Sequence, residues 1–173
     1  MRIADVLRSK GSAVSTVAPE DSMGEVLRAI AERNLGALPV VDGDRLVGIV
    51  SERDVVRRLH SHGAALLDAR VAEVMTTEVV TCSPDDGVGD LARVMTDRRV
   101  RHLPVIVDGA LAGIVSIGDL VKARMDMLEQ EREQLGGYSA QKGHDEEGPR
   151  AGSPRPGPFV IADRIRTRPR RAP

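Results

Sequence analysis

The chain has 173 residues, of which 41% are hydrophobic and 29% charged, a balance typical of a globular protein. Its net charge of −1 combines a basic stretch at 150–173, which has seven arginines and one aspartate, with an acidic remainder that is a poor surface for nucleic acid. No apolar run reaches the roughly 20 residues that cross a bilayer and no secretory signal opens the chain, so we expect a cytoplasmic protein without membrane association.

A tandem repeat organises the sequence. Residues 16–56 align without gaps on residues 81–121 at an offset of 65, and a shorter stretch, 3–7, aligns on 71–75. The first copy carries three extra residues between these two stretches, around Lys10. A unit of about 60 residues buries too little surface to be stable by itself, so we expect the two copies to pack on each other.

The first strand and helix of each copy follow from the spacing of apolar residues. A strand is expected near 15–17 and, in the second copy, near 79–82. Apolar residues then recur at helical spacing over 23–30, behind Ser22 and a glutamate three residues later, which together predict a capping box. In the second copy the expected helix cap is Asp86.

Two short apolar runs follow each of these helices and predict a β-hairpin. In the first copy the runs are 38–41 and 46–50, and in the second copy they are 103–107 and 111–115, each pair joined by an Asp-Gly turn. A further helix follows each hairpin. The predicted fold class is therefore α/β, with two pseudo-symmetric β-α-β-β-α repeats packed sheet to sheet and ligand sites in the clefts between them.

The predicted domain boundaries are 1–62 for the first repeat, 63–135 for the second repeat with an extended C-terminal helix, and 136–173 for a basic tail. The tail is rich in glycine, proline and charged residues, so we expect it to be disordered. Its segment 159–161, Phe-Val-Ile, is either a short docking segment or part of a solvated chain. The arginines of the tail are the only expected route to nucleic acid.

Both hairpins run into the same motif, Gly48 to Asp54 (Gly-Ile-Val-Ser-Glu-Arg-Asp) and Gly113 to Asp119 (Gly-Ile-Val-Ser-Ile-Gly-Asp). A Ser-x-x-Asp sequence before a helix can be a cap that satisfies free N–H groups. It can also bind a ligand, because an ionised aspartate accepts hydrogen bonds from ribose hydroxyls and the helix start favours phosphate. Its occurrence twice in a tandem repeat favours the ligand interpretation, and both remain open.

Leu-Pro-Val followed by Gly-Ile-Val-Ser-x-x-Asp, twice in one chain, resembles the tandem cystathionine-β-synthase (CBS) pair, or Bateman module, of the stand-alone bacterial type. The resemblance covers about residues 1–125. It implies a regulatory module that binds an adenosine ligand, AMP, ADP, ATP, NAD or S-adenosylmethionine, and requires no cofactor. It also implies a homodimer and a protein partner that the sequence does not identify.

The resemblance assigns each aspartate to the ribose, each serine to the phosphate side, and nearby aliphatic side chains and backbone groups to the adenine. The residues expected at the first cleft are Thr16, Val17, Ala37, Leu38, Pro39, Ser51, Arg53 and Asp54. Those expected at the second cleft are Thr81, Cys82, Arg101, His102, Leu103, Pro104, Ser116 and Asp119.

Arg101 and His102 are expected to contact phosphate, because this segment resembles the γ subunit of AMP-activated protein kinase, where basic residues before the same Leu-Pro-Val do so. Alternatively, Arg101 is a solvated surface charge and His102 a partly buried strand residue.

No catalytic residue or metal site is predicted. The sequence has no phosphate-binding Gly-x-x-x-x-Gly-Lys loop, no Gly-x-Gly-x-x-Gly and no hydrolase motif, so we expect no enzyme activity. Cys82 is the only cysteine, and His60 and His62 have no third ligand nearby. The rival interpretation is a dimerisation scaffold that binds no ligand and whose tail recruits a protein or RNA.

Overall fold

The computed structural model describes residues 1–11 and 13–140, with side chains described as far as Glu133. The last helix continues to Ala140, past the predicted boundary at 136, and the remainder of the predicted tail lies outside the described residues. Within the described part, no helix is both long and apolar enough to cross a membrane.

The elements follow each other in the order that the repeat predicts, with one short helix before each copy. They are α1 (Ile3–Lys10), α2 (Met23–Arg33), β1 (Ala37–Asp42), β2 (Arg45–Ser51), α3 (Glu52–His62), a 3-10 helix (Gly63–Asp68), α4 (Val71–Val74), α5 (Val88–Arg98), β3 (His102–Val107), β4 (Ala110–Ser116) and α6 (Ile117–Ala140).

Helix α2 begins at the predicted capping box. The Ser22 hydroxyl accepts a hydrogen bond from the Glu25 N–H at 3.3 Å, and the Glu25 carboxylate accepts one from the Ser22 N–H at 2.9 Å. The predicted cap of α5 is wrong, because Gly87 occupies the N-cap position there. Asp86 instead accepts a hydrogen bond from the backbone N–H of Ser83 at 2.8 Å and so closes the turn before the helix.

Both predicted hairpins are present and have the same register. Ala37 lies opposite Ser51 in the first, and His102 lies opposite Ser116 in the second. The first strand of each copy is shorter than predicted, because it is reduced to a single parallel bridge, from Val17 in one copy and from Cys82 in the other. Each sheet therefore has two full strands, and β2 and β4 contact each other between the copies.

The two hydrophobic cores exchange their short helices. Helix α1 packs Ile3 and Val6 into the core of the second copy, whereas α4 packs Val71 and Val74 into the core of the first. The second core contains Ile3, Val6, Cys82, Val88, Leu91, Met95, Leu103, Val105, Val115, Leu120 and Ala123. The first contains Met23, Val26, Ile30, Leu38, Val40, Val50, Val55, Leu66, Val71 and Val74. Each core therefore draws on both predicted segments, 1–62 and 63–135.

The glycine of each repeated motif makes room for an exchanged helix. A Cβ atom at Gly48 would lie 2.5 Å from the Met75 sulfur, and one at Gly113 would lie 2.8 Å from a Leu7 methyl carbon. Beside Gly48, Ile49 and Thr76 exchange two backbone hydrogen bonds of 3.0 and 2.9 Å. The segment after α4 is thus held against β2, next to the start of α3.

Candidate functional site

A cleft lies between the two copies at the start of α3. Its volume of about 370 Å³ is within the range of small-molecule sites. Its walls come from β1, β2 and α3 on one side and from the segment after α4 and the approach to β3 on the other. The lining residues are Gly36, Ala37, Ile49, Ser51, Glu52, Arg53, Asp54, Arg57, Thr76, Glu78, Val79, Val80, Arg98, Arg99, Val100, Arg101 and His102.

Asp54 is held at the cleft by a capping box with Ser51. Its Oδ2 atom accepts hydrogen bonds from the Ser51 N–H, at 2.9 Å, and from the Ser51 hydroxyl. The capping interpretation is therefore correct for this motif. These bonds use one carboxylate oxygen, and Oδ1 has no hydrogen-bond partner among the described residues, so capping leaves an acceptor for a ligand.

Five arginines line the same cleft as this aspartate. They are Arg53, Arg57, Arg98, Arg99 and Arg101, and the acidic residues lining the same cleft are Glu52, Asp54 and Glu78. Arg53 donates a hydrogen bond from Nη1 to the carbonyl oxygen of Arg99 at 3.1 Å, which ties α3 to the end of α5 across the cleft. The cleft is thus a basic site on a chain whose net charge is −1.

His102 lies half-buried between the start of β1 and the start of β3. A Cβ atom at Gly36 would lie 2.8 Å from its ring, so the glycine makes room for the imidazole. Burial lowers the pKa of His102 below its usual 6.5, the charge of Lys10 lowers it further, and Asp119 and Glu52 oppose this shift. The ring is therefore mainly neutral at pH 7.

The second motif forms the same capping box but differs in one contact. Asp119 Oδ2 accepts hydrogen bonds from the N–H and hydroxyl of Ser116 at 2.7 and 2.8 Å. It also accepts one from Lys10 Nζ at 2.6 Å. Burial alone would raise the pKa of Asp119, but the bonds from Lys10 and Ser116 outweigh it and hold the pKa below the usual value.

The comparisons with known proteins agree with this architecture. The family model of the CBS domain matches residues 3–61 and 71–126. The chain belongs to the CBS-domain family. The mitochondrial CBS domain-containing protein CBSX3 of Arabidopsis thaliana is 34% identical over 145 residues, which cover 79% of this chain and 70% of CBSX3.

Solved structures show the same pair of CBS repeats. A CBS-domain containing protein from Agrobacterium tumefaciens matches with a TM-score of 0.70 and 42% identity, over 72% of this chain and 99% of that one. CBSX2, solved in complex with AMP, matches with a TM-score of 0.60 and 27% identity, over 73% of this chain and 97% of that one. The predicted tandem CBS protein of the stand-alone type is confirmed.

The Asp54 cleft contains six of the sixteen residues predicted for a site. They come from two groups that the sequence analysis had assigned to different clefts. The six are Ala37, Ser51, Arg53, Asp54, Arg101 and His102. Arg101 and His102 had been assigned to the second cleft, with Asp119. The structure places them in the lining of the Asp54 cleft, because the start of β3 lies beside the start of β1. They also lie beside the second motif, since His102 pairs with Ser116 and the Arg101 carbonyl oxygen accepts a hydrogen bond from the Ile117 N–H.

The other ten predicted residues do not line this cleft. Among these predicted residues, Thr16 and Thr81 are exposed. The buried ones are Leu38, Pro39, Cys82, Leu103 and Pro104. Val17 and Cys82 use both their backbone N–H and C=O groups in hydrogen bonds of the sheets. Burial also raises the pKa of the Cys82 thiol to about 12.

The sequence interpretation missed one wall of the CBS cleft. Thr76, Glu78, Val79 and Val80 reach it because the exchanged helix α4 carries them across to the first repeat. Two signals were present in the sequence. The stretch 71–75 repeats 3–7, and several arginines precede the second Leu-Pro-Val.

The described residues contain no group of three or more side chains that could hold a metal ion. His60 and His62 both lie exposed on α3.

Proposed function

We propose that this CBS pair is a regulatory module that binds an adenine nucleotide in the Asp54 cleft without catalysing a reaction. The observation that carries the proposal is the meeting of a capped aspartate and five arginines around one cavity between the repeats. A relative with the same fold, CBSX2, is solved in complex with AMP, which supports an adenine ligand.

The two ends of the cleft suit the two ends of a nucleotide. Asp54 Oδ1 accepts hydrogen bonds from the ribose hydroxyls, while Oδ2 keeps its bonds to Ser51. The positive end of α3 lies beside Ser51 and favours phosphate there. Ile49, Val79 and Val80 supply an apolar surface for the base.

The charge of the cleft favours a ligand with phosphate groups over S-adenosylmethionine. Five arginines face three acidic side chains, so the site is cationic before it binds anything. Arginine binds phosphate through two parallel hydrogen bonds. The sulfonium cation of S-adenosylmethionine would meet this net positive charge, so we expect AMP, ADP, ATP and NAD to bind more tightly.

Calorimetric titration with these five compounds tests the proposal. Arg101→Ala should weaken binding of a phosphate-bearing nucleotide about 10- to 100-fold, because a charge-assisted hydrogen bond contributes about 1.5–3 kcal/mol. Arg93→Ala is the matched control, since this exposed arginine lies on α5 away from the cleft. Flat traces for all five compounds would contradict the proposal and favour the scaffold interpretation.

The CBS pair would also form a homodimer through α3 and α6. Val56 on α3 is 68% exposed and Val121, its equivalent 65 residues later on α6, is 53% exposed. Leu59 adds to the first apolar surface, and Met125 adds to the second. Two exposed apolar surfaces related by pseudo-symmetry suit a second copy of the same chain.

Light scattering tests the dimer. Val56→Lys combined with Val121→Lys should convert the dimer to a monomer, because each lysine places a charge in the proposed apolar interface. A wild-type chain that stays monomeric at high concentration would contradict this part of the proposal. In the proposed function, the nucleotide-bound dimer signals to a protein partner.

A further inference from the structure

The two CBS motifs are alike in sequence, but a cation occupies only the second. Lys10 Nζ lies 2.6 Å from Asp119 Oδ2 and 3.2 Å from the carbonyl oxygen of Ile114. The side chains of Lys10 and Asp119 are 38% and 23% exposed, so the pair is partly withdrawn from solvent. The equivalent aspartate of the first motif, Asp54, has hydrogen bonds to Ser51 alone among the described residues.

The lysine comes from the part of the chain that breaks the repeat. The offset between copies is 68 residues for the stretch 3–7 and 65 for 16–56, so the first copy has three extra residues between 8 and 15, around Lys10. At either offset the equivalent position in the second copy, Glu78 or Met75, carries no cation.

Helix α1 fixes the position of the lysine. Ile3 and Val6 of this helix are buried in the second core, and Leu7 packs against Gly113. Lys10 follows Leu7 by three residues, so it lies on the same face of α1, which is turned towards β4 and the start of α6.

The two residues that Lys10 contacts are equivalent to two residues that line the first cleft. Asp119 is the equivalent of Asp54, which would hold the ribose, and Ile114 is the equivalent of Ile49, which lines the cleft beside the base. The ammonium group thus lies where the second cleft would receive a nucleoside. It also neutralises the Asp119 carboxylate, which would otherwise accept hydrogen bonds from the ribose hydroxyls.

We propose that Lys10 closes the second cleft of the CBS pair, so that each chain binds one nucleotide, at Asp54, and Lys10 determines which cleft is used. This inference rests on the proposed function of the Asp54 cleft. The alternative, that Lys10 binds phosphate in an open second cleft, fits the structure less well. Its ammonium group is already bound to the Asp119 carboxylate and to the Ile114 carbonyl oxygen.

Calorimetric titration of the full chain with AMP and with ATP gives the number of sites. The wild type should bind one equivalent per chain, and Lys10→Ala should bind two. Lys10→Met should behave in the same way, because it keeps the aliphatic stem and removes only the charge. Arg8→Ala is the matched control, since this arginine lies on the same helix but pairs with Asp5, and it should leave one site.

Two further variants locate the new site. The double variant Lys10→Ala with Asp119→Ala should return to one equivalent, because the carboxylate of the opened cleft is lost. One equivalent for Lys10→Ala, or two for the wild type, would overturn the inference. A wild type with two sites that loses one on Lys10→Ala would establish the phosphate-binding alternative instead.

The outcome also separates this inference from the proposed function. If the wild type binds neither probe and Lys10→Ala binds one equivalent, the proposal that the Asp54 cleft binds a nucleotide is wrong. The inference that Lys10 closes the second cleft is then supported. If neither protein binds AMP or ATP, both proposals are wrong.

Discussion

The substitution Asp54→Asn separates the capping role of this residue from its proposed ligand role. An asparagine can keep the bond from the Ser51 N–H through its carbonyl oxygen, so the start of α3 is preserved. Its amide group cannot replace the second carboxylate oxygen, which in the proposed complex accepts the ribose hydroxyls. The fold and the ligand should therefore respond differently to one change.

The expected effects follow from the bonds that are lost. Losing charge-assisted hydrogen bonds to the ribose removes about 3 kcal/mol, which corresponds to about a 100-fold loss of affinity. The weaker capping box lowers the free energy of unfolding by about 0.5 kcal/mol, a fall in Tm of about 1–2 °C in a chain of this size. Calorimetric titration measures the first effect, and differential scanning calorimetry measures the second.

A matched control is available in the second motif. Asp119→Asn changes an equivalent capping box and should leave nucleotide affinity at the Asp54 cleft within about two-fold, since the Asp119 carboxylate is paired with Lys10. The reasoning is refuted if Asp54→Asn unfolds the protein or lowers Tm strongly while the folded fraction binds nucleotide normally. Equal losses of affinity in both variants would refute it as well.

Three more outcomes are expected. A bound phosphate raises the lowered pKa of His102 back towards 6.5, so binding near pH 6 should take up protons and strengthen as pH falls from about 7.5; equal binding enthalpies in two buffers of different ionisation enthalpy would contradict this. Because the thiol of Cys82 has a pKa of about 12, iodoacetamide at pH 8 should label it only after unfolding, and native labelling at the rate of a free cysteine would argue against its burial. Gly48→Ala places a methyl group against Met75 and should destabilise the fold by about 2 kcal/mol in urea unfolding, whereas Gly89→Ala, with open space around it, should not.

The elements of the fold could be predicted because their signals are local. The helical spacing behind Ser22, the Asp-Gly turns and the pairs of apolar runs each specify structure over a few residues. The predicted cap at Asp86 failed for the same local reason. The sequence does not show whether that carboxylate caps the helix or closes the turn at Ser83, and both are within its reach.

The composition of the site was harder to predict because it depends on packing between distant segments. Ser51 and Asp54 were predicted from their motif, and Arg101 from the resemblance to the γ subunit of AMP-activated protein kinase. Their meeting in one cleft requires the exchange of α1 and α4, which only a five-residue alignment indicates. No sequence pattern around Lys10 indicates that this residue contacts Asp119.

The exchange of short helices makes the halves of this chain dependent on each other during synthesis. The amino-terminal half cannot complete its interior until residue 74 has left the ribosome, and α1 waits without a partner until the last strands emerge. A gene divided after residue 62 would yield two fragments, each holding a helix that the other needs. Such fragments would be unstable apart and should reassemble when they are expressed together.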